Sequence, residues 1–364
     1  MYFKESVYRS RVDRVMKSME QSGVDAMVIP PGPNFFYLTG LETESMERLA
    51  LLILGRDSVK VICPDLMKEQ ILEETWLSDI TSWADDTDPY LLAGRLLENS
   101  KHTAIEGNLP YFHYRSMRKY IGNVESDADK IMNRLRMEKD ESELSAIREA
   151  VIRSETSLLN SIEKLKEGIT EKKFSIILES EMQNNGLSAP AFSSIVSFGK
   201  NAAMPHHSPG ETKLARGDSV VIDFGGRYMG YASDTTRTFF LGNPGEEMMN
   251  IYEVVRHANQ EVEKKVNSQT TYASMDAMAR STIGAAGYGD RFIHRLGHGL
   301  GISVHEEPYL VPGNTMRVMK NSVFTVEPGI YTPGKGGVRI EDTNYFDGSG
   351  CVTFNKLEKE ISII

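Results

Sequence analysis

The first third of the chain alternates between helical and extended patterns of hydrophobic residues. Val12, Val15 and Met19 fall on one stripe of a predicted first helix, which ends at Gly23. The pattern then predicts a strand over 25–29, a hairpin over 48–64 that turns at 55–57, a helix over 66–76, a strand over 80–83, a helix over 89–98, a strand over 104–106 and a helix over 111–121. This alternation predicts a layered α/β domain.

A charged segment that starts at Met137 begins a long predicted helix, and we place a domain boundary just before it, near residue 130. The predicted domains are therefore an N-terminal α/β domain, 1–129, and a second domain, 130–364. In the second domain one order of elements occurs twice: two helices, a segment with histidines and a hairpin. The predicted helices cover about 140–167, 171–185, 246–266 and 274–286. The repeated order predicts an α+β domain whose halves are related by approximate twofold symmetry.

Composition and charge narrow the class of protein. The chain has 364 residues, a formal net charge of −10 and a pI of about 5.4, which argues against a nucleic-acid-binding protein because such proteins are basic. Cys63 and Cys351 are too few for a disulfide framework, and the longest dense apolar run, 49–54, is too short to span a bilayer. We therefore expect a cytoplasmic protein that binds neither nucleic acid nor a membrane.

Four carboxylates occupy matching positions in two predicted hairpins. Asp223 and Asp234 are centred on one turn, and Glu327 and Glu341 on another, so each pair should face across its hairpin with Cβ atoms roughly 5 Å apart. The surrounding strands are apolar, and burying unpaired like charges is costly. Divalent cations relieve such repulsion and prefer oxygen ligands. The alternative, that the acids are exposed or form salt bridges, is less favoured because the pattern occurs twice.

Three of the eight histidines lie in the glycine-rich segment 294–308. His294 and His298 are four residues apart, as in the zinc-binding helix HExxH, but Arg295 replaces the glutamate and the glycines would disrupt a helix. The glycines instead predict a backbone that passes close to another group, and the segment around His305 has the pattern of an extended strand. One imidazole could complete an oxygen-rich metal site, although a single histidine more often has a structural role.

A second pair of histidines, His206 and His207, lies in a loop bounded by prolines. Proline restricts the backbone on both sides of the pair. Such a loop suits a side chain that must be held in place, and an ordinary surface loop would have the same pattern.

Five segments together resemble the metallopeptidases of the pita-bread fold, which include methionine aminopeptidase, aminopeptidase P and prolidase. The segments are AAMPHH, IDFGGRYMGYASDTTRT, HRLGHGLGISVHEEP, TVEPGIY and GGVRIED. The resemblance covers the whole chain, because prolidases and aminopeptidase P also carry an N-terminal α/β domain. It implies a domain of the creatinase/prolidase N-terminal type followed by an α+β pita-bread catalytic domain with pseudo-twofold symmetry.

The resemblance implies two divalent metal ions. Their ligands would be the residues at matching positions, Asp223, Asp234, His298, Glu327 and Glu341. In the family pattern Asp234 and Glu341 touch both metals, Asp223 holds one, and His298 and Glu327 hold the other. Manganese, cobalt, zinc and iron all suit this mixture of oxygen and nitrogen ligands, so the sequence does not identify the metal.

Other positions match residues that act on the substrate in the family. Glu327 matches the proton acceptor, His206 the histidine near the leaving nitrogen, and His305 the histidine near the substrate carbonyl. His294 resembles a histidine that either supports the metal ligands from outside or lines the substrate pocket. Arg339 matches an arginine that supports the metal-binding carboxylates, and we group it with the substrate-binding residues.

One position departs from the family pattern. Some prolidases carry an arginine four residues after the histidine that corresponds to His305, where it binds the C-terminal carboxylate of the substrate. Here that residue is Tyr309, and Arg295 could bind the carboxylate instead. Phe192 and Tyr231 are further candidates for the pocket wall, with a core role favoured for Phe192.

The predicted function is hydrolysis of the Xaa-Pro bond of dipeptides by a dinuclear metal enzyme, an Xaa-Pro dipeptidase or prolidase. An Xaa-Pro aminopeptidase (aminopeptidase P) that acts on longer peptides is the alternative that Tyr309 favours. A metal-free member of the fold, either a binding protein or a creatine-hydrolysing enzyme, is disfavoured because every implied metal ligand is present. The resemblance also implies a homodimer.

Overall fold

The computed structural model describes residues 1–121, 124–125 and 128–364. The chain divides into two compact units, Met1–Arg136 and Met137–Ile364. The domain boundary near residue 130 stays a prediction. Among the helices of these described ranges, none is both long and apolar enough to cross a membrane.

The first unit contains a six-stranded mixed sheet with the strand order β4-β3-β2-β1-β5-β6. Its elements are α1 (Glu5–Gln21), β1 (Ala26–Ile29), α2 (Pro33–Thr39), β2 (Leu51–Gly55), β3 (Val59–Pro64), α3 (Asp65–Glu74), β4 (Ile80–Trp83), α4 (Pro89–Leu96), β5 (Thr103–Ile105), α5 (Tyr111–Met117), β6 (Val124–Glu125) and α6 (Ala128–Met137). Strand β1 pairs antiparallel with β2 and parallel with β5.

The hydrophobic pattern of the first unit predicted most of these elements. Strand β1 is buried along its whole length, as expected for a strand covered on both faces. The predicted hairpin is confirmed by the pairing of Leu54 with Val59. Helix α2 is not among the predicted elements, because prolines usually interrupt helices and strands. Pro33 in fact occupies the first turn of that helix, where its missing N–H has no helical partner to lose.

The second unit has four helices and thirteen strands among its described residues. They are α7 (Glu141–Ser161), α8 (Glu171–Asn184), β7 (Ile195–Phe198), β8 (Ser219–Phe224), β9 (Arg227–Tyr228), β10 (Tyr231–Ala232), β11 (Thr235–Phe240), α9 (Glu246–Lys265), α10 (Tyr272–Ala285), β12 (Gly297–Gly299), β13 (Glu306–Leu310), β14 (Val323–Val326), β15 (Gly329–Thr332), β16 (Gly336–Arg339), β17 (Asp342–Phe346), β18 (Cys351–Thr353) and β19 (Ser362–Ile363). Short 3₁₀ turns cover Ile162–Lys164, Gly199–Ala203 and Gly289–Arg291.

The predicted repeat in the order of elements is present in this unit. Helices α7 and α8 precede a four-stranded sheet, β19-β11-β8-β7, and helices α9 and α10 precede a five-stranded sheet, β13-β12-β14-β17-β18. Each helix pair packs over its own hydrophobic cluster, with Phe174 and Ile222 in the first cluster and Val255 and Phe324 in the second. The two halves therefore have separate cores, and the strands between them position the site.

Candidate metal centre

The first aspartate pair does not have the predicted register. Asp223 in β8 pairs with Thr236, so the prediction that Asp223 lies directly opposite Asp234 is wrong. The midpoint of the two aspartates along the chain lies between Tyr228 and Met229, but the turn is centred one residue later, on Met229 and Gly230, which have φ values of 50° and 78°. A two-residue turn with positive φ at both positions matches the twist of a hairpin. The register still leaves both aspartates on one face of the ribbon, because side chains alternate along a strand.

The second carboxylate pair, Glu327 and Glu341, has the predicted register. The pairs Val326–Asp342 and Gly329–Arg339 flank it on either side and belong to one continuous register. This register places Glu327 opposite Glu341. The two halves meet here, because the backbone N–H of Glu341 donates to the carbonyl of Thr236 in β11 at 3.1 Å. The contact brings the two hairpins and their carboxylates together.

Glycines hold His298 close to its neighbouring strands. A Cβ atom at Gly297 would lie 2.1 Å from the carbonyl oxygen of Thr325, and one at Gly299 would lie 2.2 Å from that of Glu307. The predicted close approach of the backbone is therefore confirmed. The extended strand predicted around His305 begins only at the next residue, after a series of bends.

The ligand atoms of Asp234, His298 and Glu341 lie within 4.8 Å of one another. The Nε2 atom of His298 is 3.6 Å from Oδ2 of Asp234 and 3.5 Å from Oε1 of Glu327. The Nδ1 atom of His298 is 3.1 Å from the carbonyl oxygen of Gly299, so we assign the proton to Nδ1. The lone pair of Nε2 then faces the carboxylates, as in a histidine that binds a metal.

Burial shifts the pKa values of these groups toward their uncharged forms. Desolvation and the nearby charge of Glu341 raise the pKa of Asp234 well above its ordinary value. Desolvation and the charge of Glu327 do the same to the pKa of Glu341. Desolvation raises the pKa of Glu327 to about 8 and lowers the pKa of His298 to about 3. The ionised cluster therefore needs positive charge close by.

The hydrogen bonds of the carboxylates leave one buried carboxylate oxygen available to bind a cation. Asp223 accepts a hydrogen bond at Oδ2 from Nη2 of Arg339 at 2.7 Å, while its buried Oδ1 has no partner among the residues that the structure describes. Glu341 accepts one at Oε2 from Oγ1 of Thr236 at 2.7 Å. Buried polar atoms normally have partners. The residues therefore fit a divalent cation, which would take the unpartnered oxygen as a ligand.

Arg339 connects the carboxylates to His294 through Tyr331, a residue to which the sequence assigned no role. Nη1 of Arg339 donates to the Tyr331 hydroxyl at 3.0 Å, and that hydroxyl lies 2.8 Å from Nε2 of His294. Nδ1 of His294 is 2.8 Å from the carbonyl oxygen of Arg295. Both ring nitrogens of His294 are thus engaged within the protein, and burial lowers its pKa to about 4. The substrate contact expected of His294 stays a prediction.

Ten of the predicted site residues line one cavity of about 580 Å³. These residues are His206, Asp223, Asp234, His294, Arg295, His298, His305, Glu327, Arg339 and Glu341. Phe192, Ile195 and Val304 form apolar parts of the wall, so Phe192 belongs to the pocket rather than to the core. Tyr231 is fully buried instead, and its hydroxyl donates to Glu143 at 3.1 Å.

Two groups in the cavity wall are oriented by neighbouring aromatic rings. The guanidinium carbon of Arg295 lies 4.5 Å from the centroid of the Tyr309 ring, which is a cation–π contact. The rings of His298 and His305 lie 4.2 Å apart and nearly perpendicular. Desolvation lowers the pKa of His305, so its ring is neutral near pH 7 and can donate one hydrogen bond and accept another.

Comparisons with known proteins agree with this architecture. The pattern of the metallopeptidase family M24 matches residues 145–346, and that of the creatinase/prolidase N-terminal domain matches residues 11–138. An Xaa-Pro dipeptidase of Lactobacillus delbrueckii is 32% identical, over 97% of this chain and 98% of its own length.

Solved structures of similar proteins have the same fold as this chain. A prolidase from Thermococcus sibiricus has a TM-score of 0.92 and 34% identity, over 98% of this chain and 99% of its own. An X-Pro aminopeptidase from Thermotoga maritima has a TM-score of 0.85 and 29% identity, over 96% of this chain and 100% of its own. The family implies divalent metal ions, in agreement with the carboxylate cluster. The chain belongs to the metallopeptidase family M24 and is a hydrolase with a creatinase/prolidase N-terminal domain and a pita-bread catalytic domain.

Proposed function

We propose that the chain is a dinuclear-metal Xaa-Pro dipeptidase, a prolidase. The observation that carries the proposal is the carboxylate cluster, in which the Nε2 lone pair of His298 faces Asp234 and Glu327 at 3.6 and 3.5 Å. Relatives that cover nearly the whole chain support the substrate class, because the Lactobacillus protein bears the name Xaa-Pro dipeptidase and the Thermococcus protein that of prolidase.

Two divalent ions would be held by Asp223, Asp234, His298, Glu327 and Glu341. When bound, such ions activate a water molecule and polarise the scissile carbonyl. Manganese, cobalt, zinc or iron would suit these ligands. The carboxylates supply the negative charge, and Arg339 holds Asp223 in place through a hydrogen bond of 2.7 Å.

Three side chains carry the proton transfers and the developing charge in this proposal. Glu327 accepts the proton of the attacking water. His305 donates a hydrogen bond to the oxyanion that forms on the carbonyl. The leaving proline nitrogen belongs to a tertiary amide and must gain a proton, which passes from Glu327 with His206 beside the nitrogen. His206 and His305 both line the cavity, in agreement with these roles.

Arg295 gives the cavity its preference for dipeptides. Its guanidinium lines the cavity wall against Tyr309 and would bind the C-terminal carboxylate of the substrate. The absence of an arginine at the position of Tyr309 favours the second candidate, an aminopeptidase P that acts on longer peptides. Both candidates keep the same metal centre.

An assay with three substrates separates the two candidates. Metal-loaded enzyme is given Ala-Pro, the C-terminal amide of Ala-Pro, and Ala-Pro-Ala. We expect the highest kcat/KM for the free dipeptide; a higher value for the tripeptide would favour aminopeptidase P, and no hydrolysis of any substrate would refute the proposal. Arg295→Leu should remove the preference for the free acid over the amide, whereas Arg291→Leu, at an exposed position, should retain it.

We also propose that the chain forms a homodimer, as the resemblance implies, and that it is located in the cytoplasm. The free thiols of Cys63 and Cys351 agree with a reducing compartment. Light scattering on the purified protein measures the mass in solution, and a monomer at all concentrations would contradict the dimer.

A further inference from the structure

One buried carboxylate outside the metal cluster, that of Glu171, holds residues 198–210. This stretch contains His206 and is called the His206 segment below. Glu171 lies in the first turn of α8 and is 0% exposed. Its Oε1 atom accepts hydrogen bonds from the backbone N–H of Phe198 and from the side-chain amide of Asn201, both at 2.9 Å. The start of the helix also favours a negative charge at this position.

The second oxygen of the same carboxylate binds the other end of the segment. Oε2 of Glu171 accepts from Nε2 of His207 at 2.8 Å and from the backbone N–H of Gly210 at 3.0 Å. Four donors from residues 198–210 therefore converge on one buried group. Losing a partner would leave a buried charged atom undersatisfied, which is costly. The carboxylate thus favours one conformation of the segment.

The segment is fixed on its other side by strand β16. A Cβ atom at Gly337 would lie 2.1 Å from the carbonyl oxygen of Ala202, so the two backbones touch. The carbonyl of Pro205 accepts from Nη1 of Arg339 at 3.4 Å. His206 therefore lies between a residue held by Arg339 and a residue held by Glu171, while its own side chain stays exposed at the cavity.

We propose that Glu171 and His207 are positioning residues that set His206 against the metal-binding carboxylates. Neither side chain lines the cavity, so their effect on the reaction passes through His206. The second histidine of the tandem pair thereby gains a role distinct from the first. This inference rests on the proposed function, in which His206 lies beside the leaving nitrogen.

Substitution of His207 tests the contact. His207→Phe keeps a ring and removes the donor, and we expect kcat to fall about tenfold to a hundredfold, since a misplacement of about 1 Å can cost about a hundredfold. KM and bound metal should stay close to the parent values. His207→Gln keeps an N–H donor and should restore part of kcat. Glu211→Gln, at an exposed position directly after the segment, is the control and should leave kcat unchanged.

Combination with His206→Ala separates positioning from general structural damage. If His207 acts through His206, the change His207→Phe should lower kcat less than about twofold in the His206→Ala background, because the two effects are then not additive. Glu171→Gln places an amide nitrogen opposite two of the four N–H donors. It should therefore also lower kcat in the parent and lower it by less than about twofold in the His206→Ala background. A full additional loss in that background, or an unchanged kcat in His207→Phe, overturns the inference. A parent enzyme that cleaves no Xaa-Pro substrate refutes the proposed function instead.

Discussion

The metal-free chain should lose stability as the pH rises through neutrality, because its buried carboxyl cluster then ionises without bound cations to offset the added negative charge. Burial raises the pKa of Glu327 from 4.5 to about 8, and the pKa values of Asp234 and Glu341 also lie well above their ordinary values. Groups with a raised pKa bind protons more tightly in the folded chain than in the unfolded chain. Within that range the free energy of unfolding therefore decreases as the pH rises.

Two histidines act in the opposite direction at lower pH. Burial lowers the pKa of His298 from 6.5 to about 3 and that of His294 from 6.5 to about 4. The unfolded chain therefore binds more protons at these histidines below about pH 6.5, where their contribution to stability increases with pH. Above about pH 6.5 both histidines are mostly neutral in either state. Between about pH 6.5 and 8, the raised pKa values of the carboxyl groups therefore dominate the site's contribution.

The size of the effect follows from the proton that the folded cluster retains. One retained proton changes the free energy of unfolding by about 1.4 kcal/mol per pH unit, or about 2 kcal/mol between about pH 6.5 and the pKa of about 8 for Glu327. A change of about 1 kcal/mol moves the Tm of a domain of about 150–250 residues by about 2–4 °C. We therefore expect the proton of Glu327 by itself to lower the Tm by about 4–8 °C across this interval.

Calorimetry of chelator-treated protein measures this change. The parent should be compared with Glu327→Gln, whose side chain cannot ionise, and with Glu247→Gln, at an exposed position, as the control. The decisive quantity is the difference between the pH slopes of Tm in the parent and in Glu327→Gln. The slope of the parent alone is not specific to the site, because the pKa values of Glu106 and Glu263 are also raised to about 7. Equal pH slopes in these two proteins would refute the reasoning, as would a metal-free parent whose Tm rises over the interval.

Three further substitutions test the site. His206→Ala should keep its bound metal and lose about a hundredfold or more in kcat; unchanged turnover would remove this histidine from the mechanism. Asp234→Ala should lose activity and bound metal together, and metal analysis that still finds the full complement would contradict its role as a ligand. Gly297→Ala should lower stability by about 1–3 kcal/mol or more, because its Cβ would lie 2.1 Å from the Thr325 carbonyl oxygen. Gly313→Ala, with open space around its Cβ, is the control in thermal unfolding.

Features that depend on local spacing could be predicted from the order of residues alone. The second hairpin is regular up to its loop, so counting from the loop places Glu327 opposite Glu341, as the structure confirms. The same register puts Tyr331 one diagonal step from Arg339, a signal that was available and not used. Glycine has no Cβ, so the glycines beside His298 correctly predicted a close backbone approach. The repeated order of helices and strands likewise follows from hydrophobic periodicity, which is a local property.

Features that depend on contacts between distant segments could not be predicted in this way. The partner of Asp223 is Thr236 because the turn adopts positive φ at Met229 and Gly230, and spacing does not show where a turn is centred. The joining of the two hairpins requires the contact between Thr236 and Glu341, residues more than a hundred positions apart. The hydrogen bonds of Glu171 to the His206 segment also link separate elements. Each depends on long-range packing, which brings charged and polar groups together without leaving a periodic pattern in the sequence.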